Sequence, residues 1–358
     1  MRIVAKIGTN VIFKPSGELD VEKIADIAQD VAVLRQNGHE VVLITSGAVA
    51  AGRLQAPRVN MQHRKVMAAI GQPFLMRTYE KNFQTAGLQT GQCLLSKSDF
   101  FSREMYDNAV ASLVSFFQAG VIPVVNENDV VAAPSLNFGD NDSLAAMLAI
   151  AVQADVLLLL TNQPGLLNGD PQKDKEAKLI SLVTRVDKEI ERLCSKSMSQ
   201  SGRGGMISKV KAAQQAIFAG ITTFIADGRQ PHIIKRILQD GEIVGTRFLA
   251  CKGEPLNEQK RWLMASKGFG QIVIDAGAAA ALRKGKSLLM PGVLAVKGFF
   301  EPGSIVEVDG GGQTVAYGKI KYSAQILQKA LLLKKKDQSV KELVDKEVIH
   351  CDYMVILK

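Results

Sequence analysis

Apolar runs of about five residues, each closed by a glycine or a polar cluster and followed by a segment of helical length, recur through the first two thirds of the chain. Ile3-Val4-Ala5-Lys6-Ile7 gives way to Gly8-Thr9-Asn10, and residues 40–45 give way to Ser46-Gly47. Residues 121–125 empty into Asn126-Glu127-Asn128-Asp129, and residues 156–160 into Thr161-Asn162. A run without polar alternation is a strand covered on both faces, which is the habit of parallel sheets flanked by helices. The intervening segments have the matching period: Val21, Ile24, Ile27, Ala28, Val31 and Leu34 fall on one helical face that stops at Gly38. Further helices are predicted over residues 61–87, 107–119, from Leu144, and from Met206 to Gly220, with short strands at residues 91–95 and 221–226. The pattern predicts a three-layer α/β/α sandwich with a mainly parallel sheet. Ligands of such sheets bind beyond the carboxyl ends of the strands, where every polar cluster of this chain falls.

A chain of 358 residues is long enough for two domains, and the alternation lapses between Cys251 and Gly268 into a charged connector containing Trp262. Beyond it come short β-like runs broken by glycines, a small helix near residues 278–283 and an amphipathic stretch near 324–336, the signs of a compact, mostly β module. The expected division is a first domain at 1–255, a linker at 256–267, a second domain at 268–345 and an extension at 346–358. Composition narrows the classes further. With 47% hydrophobic and 22% charged residues the chain is globular, not disordered. Four scattered cysteines without a C-x-x-C spacing argue against a disulfide framework or a zinc site and point to a reducing cytoplasm. The first ten residues enter a strand containing Lys6 without the layout of a signal peptide, and Gln153 and Asp155 interrupt the longest apolar region, so no membrane partner is expected. The net charge of +9 gathers toward the C-terminal end, which leaves RNA open as a partner of that module.

Residues 201–213, Ser-Gly-Arg-Gly-Gly-Met-Ile-Ser-Lys-Val-Lys-Ala-Ala, read as a glycine loop entering a helix, with unpaired N–H groups, the positive end of a helix dipole and Lys209 within reach of a phosphate. A basic surface helix behind a flexible loop is the plain alternative. Lys6 inside an apolar strand needs an anionic partner. Ser46-Gly47 before a run of small residues forms a second helix start suited to a carboxylate, although close helix packing also explains small residues. Asp140, Asn141 and Asp142 are more than a helix cap requires, so they read as a polar site for an ammonium group or Mg²⁺, with capping as the alternative. No G-x-x-x-x-G-K-[ST] loop or G-x-G-x-x-G fingerprint is present, and four scattered histidines offer little to a His-based nucleophile. Two lysines, two glycine-lined helix starts and a set of carboxylates fit phosphoryl transfer by positioning and charge neutralisation.

Six segments in order resemble the amino-acid kinases, and within them the branch that phosphorylates glutamate: residues 6–9, 45–52, 126–129, 138–142, 157–171, and Gly204-Gly205-Met206 with Lys209. Residues 274–278 and 287–293 resemble the PUA domain that many bacterial members carry. The resemblance implies ATP and Mg²⁺, L-glutamate as acceptor, γ-glutamyl phosphate as product and proline as feedback inhibitor. Self-association as a dimer or tetramer and hand-over of the labile product to a glutamyl-phosphate reductase are implied with them. It gives Lys6, Lys209, Asp142 and Asp140 catalytic roles, and Ser46, Gly47, Asn126, Asp129 and Asn141 contact with glutamate. It gives Lys6, Gly8, Thr161, Asn162, Arg203, Gly204, Gly205, Met206, Ile207, Ser208 and Lys209 contact with the nucleotide; no residue is assigned directly to a metal. A γ-carboxylate, ionised at neutral pH with a pKa of about 4.3, needs no general base, in keeping with the lack of a candidate histidine. Two departures are expected to alter ATP affinity: Asn162 stands where an aspartate is usual and Arg203 where a small threonine is common. The alternatives are a sister kinase of another carboxylate, carbamate or phosphate, and an RNA-binding or regulatory protein with a degenerate kinase half.

Overall fold

The computed structural model describes residues 1–358 except 61–62, 132–140, 170–173, 175, 197–204, 252–255, 267–269, 336–342, 346 and 358. Two compact units divide the chain: Met1–Asp99 with Asp107–Gly253, and Phe100–Tyr106 with Glu254–Lys358.

The elements up to residue 253 are, in order, β1 (Arg2–Ile7), α1 (Thr9–Ile12), α2 (Val21–Gln36), β2 (Glu40–Ile44), α3 (Ala48–Gln55), α4 (Arg64–Thr85), β3 (Thr90–Leu95), α5 (Arg103–Gln118) and β4 (Ile122–Glu127). They continue with α6 (Asn141–Ala151), β5 (Val156–Thr161), β6 (Leu182–Val183), α7 (Lys188–Lys196), α8 (Met206–Phe218), β7 (Thr222–Asp227), α9 (Ile233–Leu238) and β8 (Thr246–Phe248). The strands form one eight-stranded sheet in the order β3-β4-β2-β1-β5-β7-β8-β6. From β3 to β7 all pairings are parallel; β8 runs antiparallel to β7, and β6 follows β8. The last two strands at one side of the sheet, β8 and the edge strand β6, fall outside the strands predicted from sequence, being three and two residues long and too short for a period to show. Central β5 is buried along its whole length, as its unbroken apolar run requires. Asp20 caps α2 by accepting the amide proton of Lys23, and the Ile24, Ile27, Val31 and Leu34 face of that helix packs into the core with Ile3, Leu43 and Leu158.

Parallel pairing aligns the strand exits. Lys6 of β1 lies opposite Ile44 of β2 and Leu159 of β5, and Thr161 at the end of β5 lies opposite Asp227 at the end of β7. The helices α3 and α4 meet almost backbone to backbone: a Cβ on Gly52 would sit 1.9 Å from the Met67 carbonyl oxygen, and one on Gly71 would sit 1.9 Å from that of Ala48.

The second unit contains α10 (Glu258–Ala265), β9 (Gly270–Ile274), α11 (Ala276–Arg283), β10 (Leu288–Leu289), β11 (Val293–Lys297), β12 (Ile305–Gly310), β13 (Thr314–Lys319), α12 (Ala324–Lys335), β14 (Glu347–Ile349) and β15 (Met354–Ile356). Five of its strands pair in the order β11-β9-β12-β13-β15, and β10 pairs with β14. Most of the stretch expected as a linker is therefore helix α10, capped by Asn257, and the stretch expected as an extension supplies β14 and β15. The Trp262 indole N–H donates to the Phe100 carbonyl at 3.3 Å, and the Ser266 hydroxyl donates to the same oxygen, so Phe100–Tyr106 belongs with this unit. Among the described residues no helix is long and apolar enough to cross a membrane.

Candidate active site at the carboxyl edge of the sheet

Three elements converge on one carboxylate. Asp142, in the first turn of α6, has no solvent exposure; its Oδ1 lies 2.8 Å from Lys6 Nζ of β1, and its Oδ2 lies 3.1 Å from Lys209 Nζ of α8. Both lysines are buried, at 6% exposure each. Such a cluster forms only where pairing offsets desolvation. Burial drives the Asp142 carboxyl up, but the Lys6 and Lys209 ammonium groups and hydrogen bonds from Lys6 and Ser208 outweigh it and hold the group below the ordinary carboxylate range. The Ser208 hydroxyl donates to Asp142 Oδ2 at 2.8 Å, with the Gly205 carbonyl oxygen a second acceptor at 2.8 Å.

The neighbouring residue, Asn141, opens a second cluster. Its amide nitrogen donates to the Thr45 carbonyl at 2.6 Å, to Ser46 Oγ at 3.0 Å and to Asn126 Oδ1 at 2.9 Å. Asn126, the fifth residue of β4, also accepts from its neighbour's Glu127 N–H at 2.9 Å and donates to Gln72 Oε1 of α4 at 2.8 Å. One turn-pair further along α4, the buried Tyr79 hydroxyl accepts from Thr45 Oγ1 at 3.0 Å. Burial pushes that phenol up to about 12, so it stays neutral. Gly47, at φ +97°, begins α3 in a left-handed conformation; a Cβ there would also sit 2.7 Å from the Phe13 ring.

The remaining expected residues that the structure describes lie along the same edge. Gly8 follows β1, donates to the Leu160 carbonyl at 3.0 Å and leaves room for a Cβ only 3.0 Å from that oxygen and 3.9 Å from Lys6 Nζ. Buried Thr161 accepts from the Gly228 N–H at 2.8 Å, and the Asn162 carbonyl accepts from Arg229 at 3.1 Å. Asp129 is half-buried, two residues past the end of β4. Gly205, in extended backbone, stands at the N-cap of α8 and brings no side chain to its first amides, and no acidic residue occupies the first turn, where Met206 and Ile207 stand. A Cβ on Gly205 would meet nothing within 4 Å. Asp140, Arg203 and Gly204 lie outside the described residues. Thr45 and Gln72 join the site without having been expected from sequence. Thr45 contributes through its backbone, and Gln72 sits mid-helix, where a Gly-Gln-Pro interruption was the one available signal.

A helix that starts on a glycine beside two buried ammonium groups fits a polyphosphate. Both oxygens of the buried carboxylate are taken by ammonium groups, so a hard cation here would take its oxygens chiefly from the phosphates and water, as Mg²⁺ usually does with nucleotides. Elsewhere, Asp26, Asp30 and His232 cluster, but Asp30 is already engaged by the His232 ring at 2.9 Å and by the amides of Ile234 and Lys235.

Residues 1–227 match the amino acid kinase family. The chain belongs to that family. Residues 270–344 match the PUA domain. Among relatives in the family, the glutamate 5-kinase of Photobacterium profundum is 41% identical over 366 residues, covering 99% of this chain and 96% of the relative. That of Dehalococcoides mccartyi is 41% identical over 341 residues, covering 92% and 90%. Of solved structures, an isopentenyl phosphate kinase superposes with a TM-score of 0.51 at 16% identity, over 69% of this chain and all of its own. Carbamate kinase from Giardia lamblia bound to AMP-PNP does so with a TM-score of 0.51 at 17% identity, over 70% and 98%. These two likenesses establish the family fold in the first unit, a mostly parallel α/β sandwich, as the alternation of runs predicts.

Proposed function

We infer that this kinase transfers the γ-phosphoryl group of ATP to the γ-carboxylate of L-glutamate, giving γ-glutamyl phosphate in the first step of proline biosynthesis. The observation that carries the reading is the convergence of Lys6 and Lys209 on Asp142, one residue from an amide cluster of Asn141, Ser46 and Asn126. Full-length relatives named glutamate 5-kinase at about 40% identity support it.

In this reading the ATP phosphates lie over the amides at the start of α8, with Gly205 to Lys209 and the Gly8 turn beside them and Thr161 and Asn162 toward the nucleoside. Lys6 and Lys209 would neutralise the transferring group. Asp142 would keep both ammonium groups aimed at it without contacting phosphate itself. Ser46, Gly47, Asn126, Asp129 and Asn141 would hold the glutamate. A γ-carboxylate oxygen attacks the γ-phosphorus, the bond to the β–γ bridging oxygen breaks, and ADP departs with that electron pair. No proton needs removal from the acceptor, so the step rests on positioning and electrostatics. Mg²⁺ bound with the nucleotide would supply further charge neutralisation on the phosphates.

Inhibition by proline, self-association, a cytoplasmic location and hand-over of the labile acyl phosphate to a reductase belong to the same reading. A degenerate, regulatory kinase half is not favoured, because the two lysines and their carboxylate are all in place. Incubation with ATP, Mg²⁺ and a panel of amino acids, trapping the product with hydroxylamine, tests the assignment. Hydroxamate is expected with L-glutamate and is expected to fall when proline is added; turnover with another acceptor and none with glutamate would overturn it.

A further inference from the structure

We propose that the side-chain NH₂ of Gln72 binds a carboxylate oxygen of the amino-acid substrate, making α4 part of the specificity pocket; this rests on the glutamate-kinase reading above.

The orientation of Gln72 is fixed by a chain of hydrogen bonds that begins at backbone. Asn126 Oδ1 takes the Glu127 N–H and the Asn141 amide, each at 2.9 Å, so the Asn126 NH₂ must face the other way, toward Gln72. It donates to Gln72 Oε1 at 2.8 Å. Exchanging the two ends of the Gln72 amide would set one NH₂ against another. Gln72 Nε2 is thus left as a buried donor with no partner among the described residues, on a residue only 7% exposed. Native interiors rarely leave such a donor unpaired without a functional reason. An acceptor arriving beside Asn126, Asn141 and Ser46 would satisfy it, and a dicarboxylate substrate is rich in acceptors. Close packing at Gly71, which admits no side chain against the Ala48 carbonyl, lets α4 approach near enough for Gln72 to reach the end of β4.

A pair of substitutions separates substrate contact from simple support of Asn126. Gln72→Glu retains an oxygen for the Asn126 NH₂ but replaces the donor with an acceptor that repels a carboxylate. Gln72→Met removes both functions without repulsion. Contact with substrate predicts that KM for glutamate rises about tenfold or more in Q72E, and less in Q72M, with KM for ATP within about twofold of wild type in both. It also predicts that KM for glutamate in Q72E worsens as pH rises and the new carboxyl ionises, whereas wild type shows no such trend. The reverse order, Q72M worse than Q72E, would reduce Gln72 to a prop for Asn126 and overturn the proposal. Should either variant unfold, the Gln72 side-chain amide resonances of the wild-type chain decide the matter: they are expected to shift on saturation with L-glutamate, and their indifference to it overturns the proposal. Wild-type turnover of glutamate is measured first, so that failure of the kinase assignment is told apart from failure at Gln72 alone.

Discussion

Asp142 carries the electrostatics of the site, since a fully buried carboxylate stands between two ammonium groups that would otherwise repel each other. Asp142→Asn keeps the volume and removes the charge. It is expected to lose about 3–5 kcal/mol in urea unfolding, the usual penalty for breaking a buried ion pair, and to lower kcat by about a hundredfold or more. The pH dependence has a definite sign. Because the folded-state pKa lies below the unfolded one, the stability from Asp142 is complete above the unfolded value of about 4 and is lost as pH falls through the folded value. The gap in thermal midpoint between wild type and D142N should therefore be constant near neutrality and close at acid pH. A gap that widened on acidification would contradict the pairing. At this scale the sequence was legible in part: a lysine inside an apolar strand announced a buried partner, but nothing in the spacing of Lys6, Asp142 and Lys209 said that the partner was the same for both.

Two glycines make opposite demands on their helices. At Gly52 a Cβ would sit 1.9 Å from the Met67 carbonyl, so Gly52→Ala must push α3 away from α4; a loss of about 1–3 kcal/mol is expected, read as a lower thermal midpoint. KM for glutamate should rise with it, because α3 begins at Gly47 beside Ser46. At Gly205 the space is open and φ is −68°, so an alanine is tolerated by the fold. Gly205→Ala is expected to leave the thermal midpoint unchanged while raising KM for ATP several-fold, since the methyl would occupy the place of a phosphate. An unchanged KM in that variant would remove the nucleotide from the start of α8. The helix and strand runs were readable because burial on both faces, or on one helical face, imposes a period over several turns. The close crossing of α3 and α4 was not, because small residues fit both a ligand-facing turn and backbone packing, and here Gly52 serves the latter while Gly47 serves the turn.

Across the whole molecule, the units do not follow a single cut in the chain. Phe100 and Tyr106, 1% and 4% exposed, belong with α10, whose Trp262 donates to the Phe100 carbonyl. A chain ended after Gly253 leaves that segment without those partners and is expected to show a lower thermal midpoint and stronger binding of a hydrophobic dye than the full chain. An unaltered midpoint and no dye binding would show that Phe100–Tyr106 is covered without them. From the sequence alone came the parallel α/β architecture and the β-rich second module, together with the strand exits as the expected place of the chemistry and the two lysines as its candidates. These are matters of local period and residue type, which short stretches carry by themselves. Only the tertiary structure joined Lys6 and Lys209 through one carboxylate, fixed the direction of the Asn126 and Gln72 amides, and assigned Phe100–Tyr106 to the second unit. Each of those includes a contact between residues more than 50 positions apart, and the geometry of such contacts is set by packing rather than by pattern.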